Sequence, residues 1–394
     1  MQKSSSKILS LCFAVALTLI AGLLITNSGN GNAAPKKYKN ETRGLWIAFC
    51  DFEDMGLANK SKKKFTENLG AALTKAKKNG TNTIYWHARA FDDATWRSKT
   101  FKACTHLTKK ASDKKTAYKT YKYDPLGIAV KLCKKRGLRI EAWLNPYRID
   151  YEKFLDPASS LSTSRIQRVI TELKNYDLNG IHFDDYFYNS STKKYLTPSK
   201  KSRYDLVPKG TINDRSGLSP KEMKANVNKM LKTTYLHVHK IKNWVFGISP
   251  AGNVDICTSI GADVAKWLRK PGFADYVAPQ IYWSDNWGET GDITMFSDRL
   301  DTWYKMWKTK KVKMYIGLAM YKAGCKPDEY NDFGWSMRDT NIKNQVKKLR
   351  KKGCNGYILF EGNNVYAVDG APSLVNAAKE LKNLKEYLKK TKSI

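Results

Sequence analysis

In Lys135-Arg136-Gly137-Leu138-Arg139-Ile140-Glu141-Ala142-Trp143-Leu144-Asn145-Pro146 a helix ends on basic residues, a glycine turns the chain, and a strand begins. Ile140, Ala142 and Leu144 alternate with Glu141, Trp143 and Asn145, so one strand face is apolar and the other polar or aromatic. The same helix ending recurs at Lys78-Asn79-Gly80 and at Lys351-Lys352-Gly353, each directly before a strand-like run. Working outward, β-branched or aromatic runs fall at Thr42–Phe49, Asn82–Arg89, Arg139–Pro146, Gly180–Tyr186, Trp244–Pro250, Asp275–Tyr282, Lys313–Met320 and Gly356–Glu361. Helical patterns fall between them, at Lys63–Asn79, Pro125–Arg136, Ser164–Tyr176, Pro220–Lys240, Ile260–Arg269, Thr294–Lys308 and Asn341–Lys351, and Ala371–Lys390 closes the chain. Eight alternating units with short helix-to-strand turns predict an α/β fold, a single (β/α)8 TIM barrel over residues 35–394. A doubly wound open sheet is disfavoured, because no G-x-G-x-x-G follows the first strand.

Upstream, Met1–Lys7 carries Lys3 and Lys7 without an acid, Ile8–Ile25 is apolar, and Thr26–Ala34 is polar and small. Residues 1–34 therefore read as a secretory signal peptide or, uncleaved, as a membrane anchor, and the protein is expected to be secreted or held at the cell surface. The 394 residues carry 70 Lys+Arg against 36 Asp+Glu, a formal charge of +34. Such a balance attracts polyanions, and export removes nucleic acid from the partners, leaving wall polymers and lipid head groups, with a wall glycan or another anionic polysaccharide as the expected partner. Cys50, Cys104, Cys133, Cys257, Cys325 and Cys354 are scattered with no C-x-x-C pair, so no zinc motif is present and buried thiols are expected. No cofactor or metal is called for.

Insertions follow the second and fourth strands: Lys102–Lys122, with seven Lys and one Asp, and Ser190–Arg215, with seven Lys or Arg and two Asp. In a barrel both emerge at the C-terminal face, where active sites lie. Alternation predicts that His182, Asp184 and Tyr186 point inward, as do His87, Arg89, Glu141, Trp143, Asn145, Ser249, Gln280, Tyr282 and Glu361. A merely packed barrel interior would carry Val, Ile and Leu there. Asp184-Asp185, at the end of the fourth strand, suits attack on an anomeric carbon or stabilisation of an oxocarbenium ion. Such chemistry needs a second carboxyl as proton donor, with Glu361 first, then Glu141 and Asp285. Trp143, Tyr147, Tyr186, Tyr188, Tyr282, Trp283, Trp287 and Tyr321 fall at or just after strand ends, and flat rings with a polar edge suit sugar faces.

Thr42-Arg43-Gly44-Leu45-Trp46, Ala142-Trp143-Leu144-Asn145-Pro146-Tyr147-Arg148, Gly180-Ile181-His182-Phe183-Asp184-Asp185-Tyr186-Phe187-Tyr188, Phe246-Gly247-Ile248-Ser249-Pro250 and Pro279-Gln280-Ile281-Tyr282-Trp283 resemble motifs of the bacterial glycosyl hydrolase-like 10 family, in the same order. The resemblance spans roughly residues 41 to 361 and implies a glycosidase-type barrel acting on peptidoglycan or a related wall polysaccharide. The match has departures: Arg89-Ala90-Phe91-Asp92-Asp93-Ala94 stands where the family pattern resembles Arg-Pro-x-Gly-Asp-Ala, Glu141 where His is more frequent, and Glu361 where Ser is usual, and the segment before the fourth helix resembles the family only through Asn226-Val227-Asn228. The expectation is a glycoside hydrolase with Asp184, Asp185 and Glu361 catalytic, and Arg89, Glu141, Trp143, Asn145, Tyr147, Arg148, Tyr186, Gln280, Tyr282 and Trp283 binding substrate. The alternatives are a non-catalytic wall-binding barrel and a metal-dependent deacetylase or esterase.

Overall fold

Eight parallel strands close on themselves: β1 (Thr42–Ile47), β2 (Thr83–Arg89), β3 (Arg139–Leu144), β4 (Gly180–Asp184), β5 (Val245–Ser249), β6 (Tyr276–Val277), β7 (Lys313–Ala319) and β8 (Gly356–Phe360). Each strand pairs with its sequence neighbours, and β1 pairs with both β2 and β8. This is the predicted TIM barrel, seen in a computed structural model that describes residue 38 and residues 40–189, 191–307, 309–366 and 372–394. The expected signal or anchor segment, residues 1–34, lies outside the described residues. Among those described, no helix is long and apolar enough to cross a membrane.

Each strand is followed by its helix: α1 (Lys62–Lys78), α2 (Pro125–Lys135), α3 (Ser160–Leu173), α4 (Pro220–Val238), α5 (Val264–Arg269), α6 (Met295–Met306), α7 (Asn341–Lys351) and α8 (Pro372–Lys390). Gly80, Gly137 and Gly353 have φ of 100°, 61° and 73°, so the three repeated helix endings are left-handed caps. Helix starts are capped by polar side chains: Asp124 accepts from Gly127 N, and Ser219 and Glu222 form a capping box on α4.

The strands sort their side chains by parity. Leu45, Ile47, Ile140, Ala142, Leu144, Ile181 and Phe183 pack outward into the helix layer. Trp46, Tyr85, Trp143, Tyr276, Tyr315 and Ile358 fill the barrel interior. That interior is aromatic, and its rings need room. A Cβ on Gly247 would sit 1.8 Å from Cζ of Tyr276.

Three details depart from simple alternation. β6 is short, because Pro279 has no N–H for the ladder. Gln280 rejoins the barrel through bridges to Ala251 and Gly317. A register shift lies between His87 and Arg89, so His87 faces Trp143 while Arg89 faces Leu144. The insertion after β4, read only as a basic loop, folds an antiparallel pair, Lys194–Pro198 with Gly210–Asp214. Buried Asp156 clamps this pair through Arg215.

Candidate active site

At the C-terminal end of the barrel lies a cavity of about 150 Å³. It is lined by Trp46, Phe49, Cys50, His87, Trp143, Asn145, Asp184, Asp185, Tyr186, Ser249, Gln280, Tyr282 and Phe360. Parity explains the assembly, since the inward residues at the upper ends of six strands converge there.

Beneath the cavity a hydrogen-bonded column fixes the ring tautomers. Trp46 Nε1–H donates to His182 Nε2 at 3.1 Å, and an indole nitrogen can only donate. His182 therefore carries its proton on Nδ1 and gives it to the Tyr276 hydroxyl at 2.9 Å, which donates to Glu141 Oε2 at 2.6 Å. Burial lowers the His182 pKa to about 3, so the ring stays neutral. His87 is likewise buried and neutral: its Nδ1 accepts from Phe49 N–H, and its Nε2 faces Asn145 Oδ1 at 3.2 Å. The His87 ring stacks on Trp143 with centroids 3.7 Å apart.

Asp184 ends β4 in the cavity wall. Its Oδ1 accepts from Gln280 Nε2 and from Asp185 N, both at 2.9 Å. Gln280 Nε2 also donates to Ser249 O at 2.9 Å, which fixes the orientation of the amide. Burial pushes the Asp184 carboxyl up to about 6, against the opposing pull of the Asp185 N–H, Gln280, Arg148 and the nearby Trp143 indole. Trp143 Nε1 lies near enough to favour the carboxylate but completes no hydrogen bond among the described residues. Asp185 is pushed well above the ordinary carboxylate range, first by burial and then by the Asp184 charge. Neither aspartate has an ion-pair partner among the described residues, and each raises the cost of ionising the other.

Glu361 sits at the rim. It was expected to point inward, but Ile358 and Phe360 take the inward parity and the strand ends at Phe360. Its Oε2 accepts from the Cys50 thiol at 3.4 Å, and Cys50 lines the cavity. Burial raises the Glu361 carboxyl to about 7. Cys50, Asp51 and Glu361 each place one potential metal-ligand atom within 4.8 Å of the others. Asp51, however, already accepts from the N–H groups of Ala48, Gly362 and Asn363.

Of the other expected binding residues, Trp143, Asn145, Tyr186, Gln280 and Tyr282 meet at the cavity. The Arg148 guanidinium lies on the Tyr186 ring, 4.3 Å from its centroid. Four residues are placed elsewhere. The register shift turns Arg89 away from the barrel axis into a buried ion network, Arg89–Asp92–Arg165. Glu141 points inward but at the opposite end, where burial raises it to about 7. Tyr147 is packed in the outer core. Trp283 packs against that core too, with Arg299 over its ring. Trp46, Phe49, Cys50 and Phe360 were not anticipated. Alternation from Leu45 and Ile47 would have turned Trp46 inward by the same rule that placed Trp143.

Residues 148–336 match the glycosyl hydrolase-like 10 family. The resemblance read from the motifs is thereby borne out. Glycosyl hydrolase DigH of Escherichia coli K12 is 23% identical over 354 residues, covering 74% of this chain and 76% of that protein. Glycosyl hydrolase YngK of Bacillus subtilis 168 is 26% identical over 348 residues, covering 74% of this chain and 64% of that protein. Among solved structures, the PgaB (BpsB) glycoside hydrolase domain from Bordetella bronchiseptica superposes with a TM-score of 0.52 at 14% identity, covering 84% of this chain and all of that domain. Chitinase ChiW from Paenibacillus sp. FPU-7 gives 0.50 at 12% identity, covering 89% of this chain and 43% of that one. At these identities the structural likeness speaks for the barrel alone. The chain is thus similar to glycosyl hydrolase-like proteins over residues 148–336 and shares the barrel of those solved structures.

Proposed function

We propose that the protein is an exported glycoside hydrolase that cleaves a cell-wall glycan, peptidoglycan or a related polysaccharide, at the cavity around Asp184. The observation that carries this reading is the Asp184 carboxyl itself. It is buried among aromatic rings, oriented by Gln280, and raised to about 6 with no ion-pair partner among the described residues. Ionised, Asp184 faces the anomeric centre as nucleophile or as counter-charge to the oxocarbenium-like transition state. Asp185, pushed upward by burial and by the Asp184 charge, disfavours a second negative charge beside Asp184. Glu361, at about 7, keeps its proton in about half of the molecules at neutrality and gives it to the leaving oxygen. Tyr186, Tyr282, Trp143 and Phe360 supply flat faces for the sugar ring.

The test is reducing-end release from purified wall glycan by wild type, Asp184→Asn and Glu361→Gln. Wild-type turnover in Asp184→Asn excludes the assignment. One observation favours a non-catalytic wall-binding barrel: Glu361 is engaged by Cys50 and stands off the cavity wall. Retention on insoluble wall, with no sugar released at any pH, would decide for that reading. Loss of activity to a chelator would instead favour metal-dependent deacetylation or ester cleavage.

A further inference from the structure

Among the described residues four arginines are buried: Arg89, Arg148, Arg165 and Arg350. Three are neutralised. Arg89 and Arg165 share Asp92, and Arg350 pairs with Glu41 at 2.7 Å. Arg148 has no acidic partner among the described residues. Its one hydrogen bond runs from Nε to the Asp150 carbonyl at 3.3 Å. The Asp150 carboxylate is taken by Glu152 N, Lys153 N and Lys153 Nζ. What holds the Arg148 guanidinium is a set of rings: Phe91 at 4.6 Å, Tyr151 at 5.2 Å and Tyr186 at 4.3 Å from its carbon. Such stacking fixes the plane of a guanidinium and leaves its N–H fork free.

The position makes the vacancy of that fork informative. Tyr186 lines the cavity, and Arg148 is close enough to Asp184 to pull its carboxyl downward. Trp143, 5% exposed, holds a buried N–H near the same carboxylate, and that N–H completes no hydrogen bond among the described residues. The Trp143 N–H, buried and without a completed hydrogen bond among the described residues, is costly unless a ligand completes it, and the Arg148 fork stands open near the same carboxylate. The complement of a planar, fixed fork is a planar anion with two oxygens.

We infer that Arg148 binds the carboxylate of an acidic sugar unit next to the cleaved bond, with Trp143 donating to the same unit, so that the substrate is a carboxylated glycan rather than a neutral one. The inference rests on the glycosidase reading and adds to it a substrate class. A uronate and a carboxyalkyl ether both satisfy the chemistry.

The test uses one polymer in two forms: wall glycan with its carboxyl groups intact, and the same glycan after carbodiimide activation and borohydride reduction to alcohols. Affinity for each is measured with Asp184→Asn as the binding trap, alone and combined with Arg148→Gln or Arg148→Lys. A charge-assisted fork predicts about tenfold or more tighter binding of the acidic form. Arg148→Gln should abolish that preference while keeping the affinity for the reduced form, and Arg148→Lys, which keeps the charge without the fork, should keep part of it. Equal affinity for both forms, or an undiminished preference in Arg148→Gln, overturns the inference and leaves the glycosidase reading standing. If neither form binds, the wall-glycan reading fails. The inference is then judged alone by titrating glucuronate against glucose and following the Trp143 indole N–H signal, assigned through Trp143→Phe. A shift with the acid only, lost in Arg148→Gln, upholds it, and the same response to both sugars or to neither overturns it.

Discussion

Replacing Gln280 by Leu removes one donor from Asp184 and leaves the cavity volume nearly unchanged. In the wild type the Gln280 amide reaches Asp184 Oδ1 at 2.9 Å, and the Asp184 carboxyl stands at about 6 because burial outweighs that bond. A hydrogen bond to a charged group contributes about 1.5–3 kcal/mol, and one pKa unit corresponds to about 1.4 kcal/mol. Losing the bond disfavours the ionised form, so Asp184 should rise by about 1–2 units. At pH 6.5 a rise of about 1.5 units reduces the ionised fraction from roughly three quarters to about a tenth. The acidic limb of kcat/KM should therefore move upward into the range where Glu361, at about 7, is losing its proton. Peak activity falls because the two required protonation states no longer overlap. The assay is the pH profile of kcat/KM, paired with carbon NMR of the aspartate carboxyls, which reads Asp184 whether or not the variant turns over. An acidic limb and an Asp184 titration both unmoved in Gln280→Leu would refute the claim that this amide poises the carboxylate.

Three further outcomes follow from the same geometry. With Asp184 required ionised and Glu361 required protonated, kcat/KM should be bell-shaped with its maximum between about 6 and 7. Glu361→Gln should remove the basic limb, and a basic limb surviving in that variant would assign it to another group. Glu141 is raised from 4.5 to about 7, so the stability it contributes is complete below 4.5 and is lost as pH rises through about 7. Glu141→Gln, which still accepts from Tyr276, should leave the melting temperature unchanged near pH 4.5 and raise stability at pH 8 by up to about 3 kcal/mol. A stability difference independent of pH would contradict this. Asp92→Asn strips the shared carboxylate from two buried guanidiniums and should cost about 3–5 kcal/mol in chemical denaturation. A loss below about 1 kcal/mol would mean that the network is already solvated.

All eight strands were legible because helix caps punctuate them and because one face of each is apolar. Ile181 and Phe183 alone are enough to turn His182 and Asp184 inward. Parity failed wherever the backbone departed from period two. The register shift after His87 carried Arg89 out of the barrel, and no residue type at 87–89 announces it. The end of β8 at Phe360 shifted Glu361 to the rim. Glu141 has the right parity, but it stands early in its strand and so lies deep, and the pairing with Gly180, the first residue of β4, puts it at the far end. The start of α3 was read four residues late, because Ser159-Ser160-Leu161-Ser162-Thr163 looks like a polar loop, whereas Ser159 is its N-cap. The paired strands Lys194–Pro198 and Gly210–Asp214 escaped notice because they bury little, and their clamp, Asp156 to Arg215, is a long-range pair.

Some buried carboxylates of this protein are paired and those at the cavity are not, and this contrast is an argument about chemistry only together with the cavity, because Asp51, Asp93 and Glu380 are also buried, raised and without an ion pair among the described residues but do not line it. Glu41, Asp92 and Asp156 are each closed by arginine, and burial plus pairing makes them fixtures of the fold. Asp184, Asp185 and Glu361 have no cation within ion-pair distance among the described residues, and burial drives all three upward. The chain carries 70 Lys and Arg against 36 acids, so a shortage of cations does not explain the difference. A cation moved to within reach of Asp184 would lower its pKa and hold the carboxylate ionised through the whole neutral range. It would also occupy the oxygen that an anomeric carbon must approach. Arg148 fits this division from the other side, since it is near enough to temper Asp184 and is held off by stacking on Tyr186 rather than drawn into a pair. Swapping the two situations is therefore decisive. Ser249→Lys, which would bring an ammonium beside Gln280 and Asp184, should drop the Asp184 titration below the usual carboxylate range and abolish glycan cleavage. A variant that folds, binds glycan and still cleaves it would show that the unpaired state of Asp184 is incidental to function.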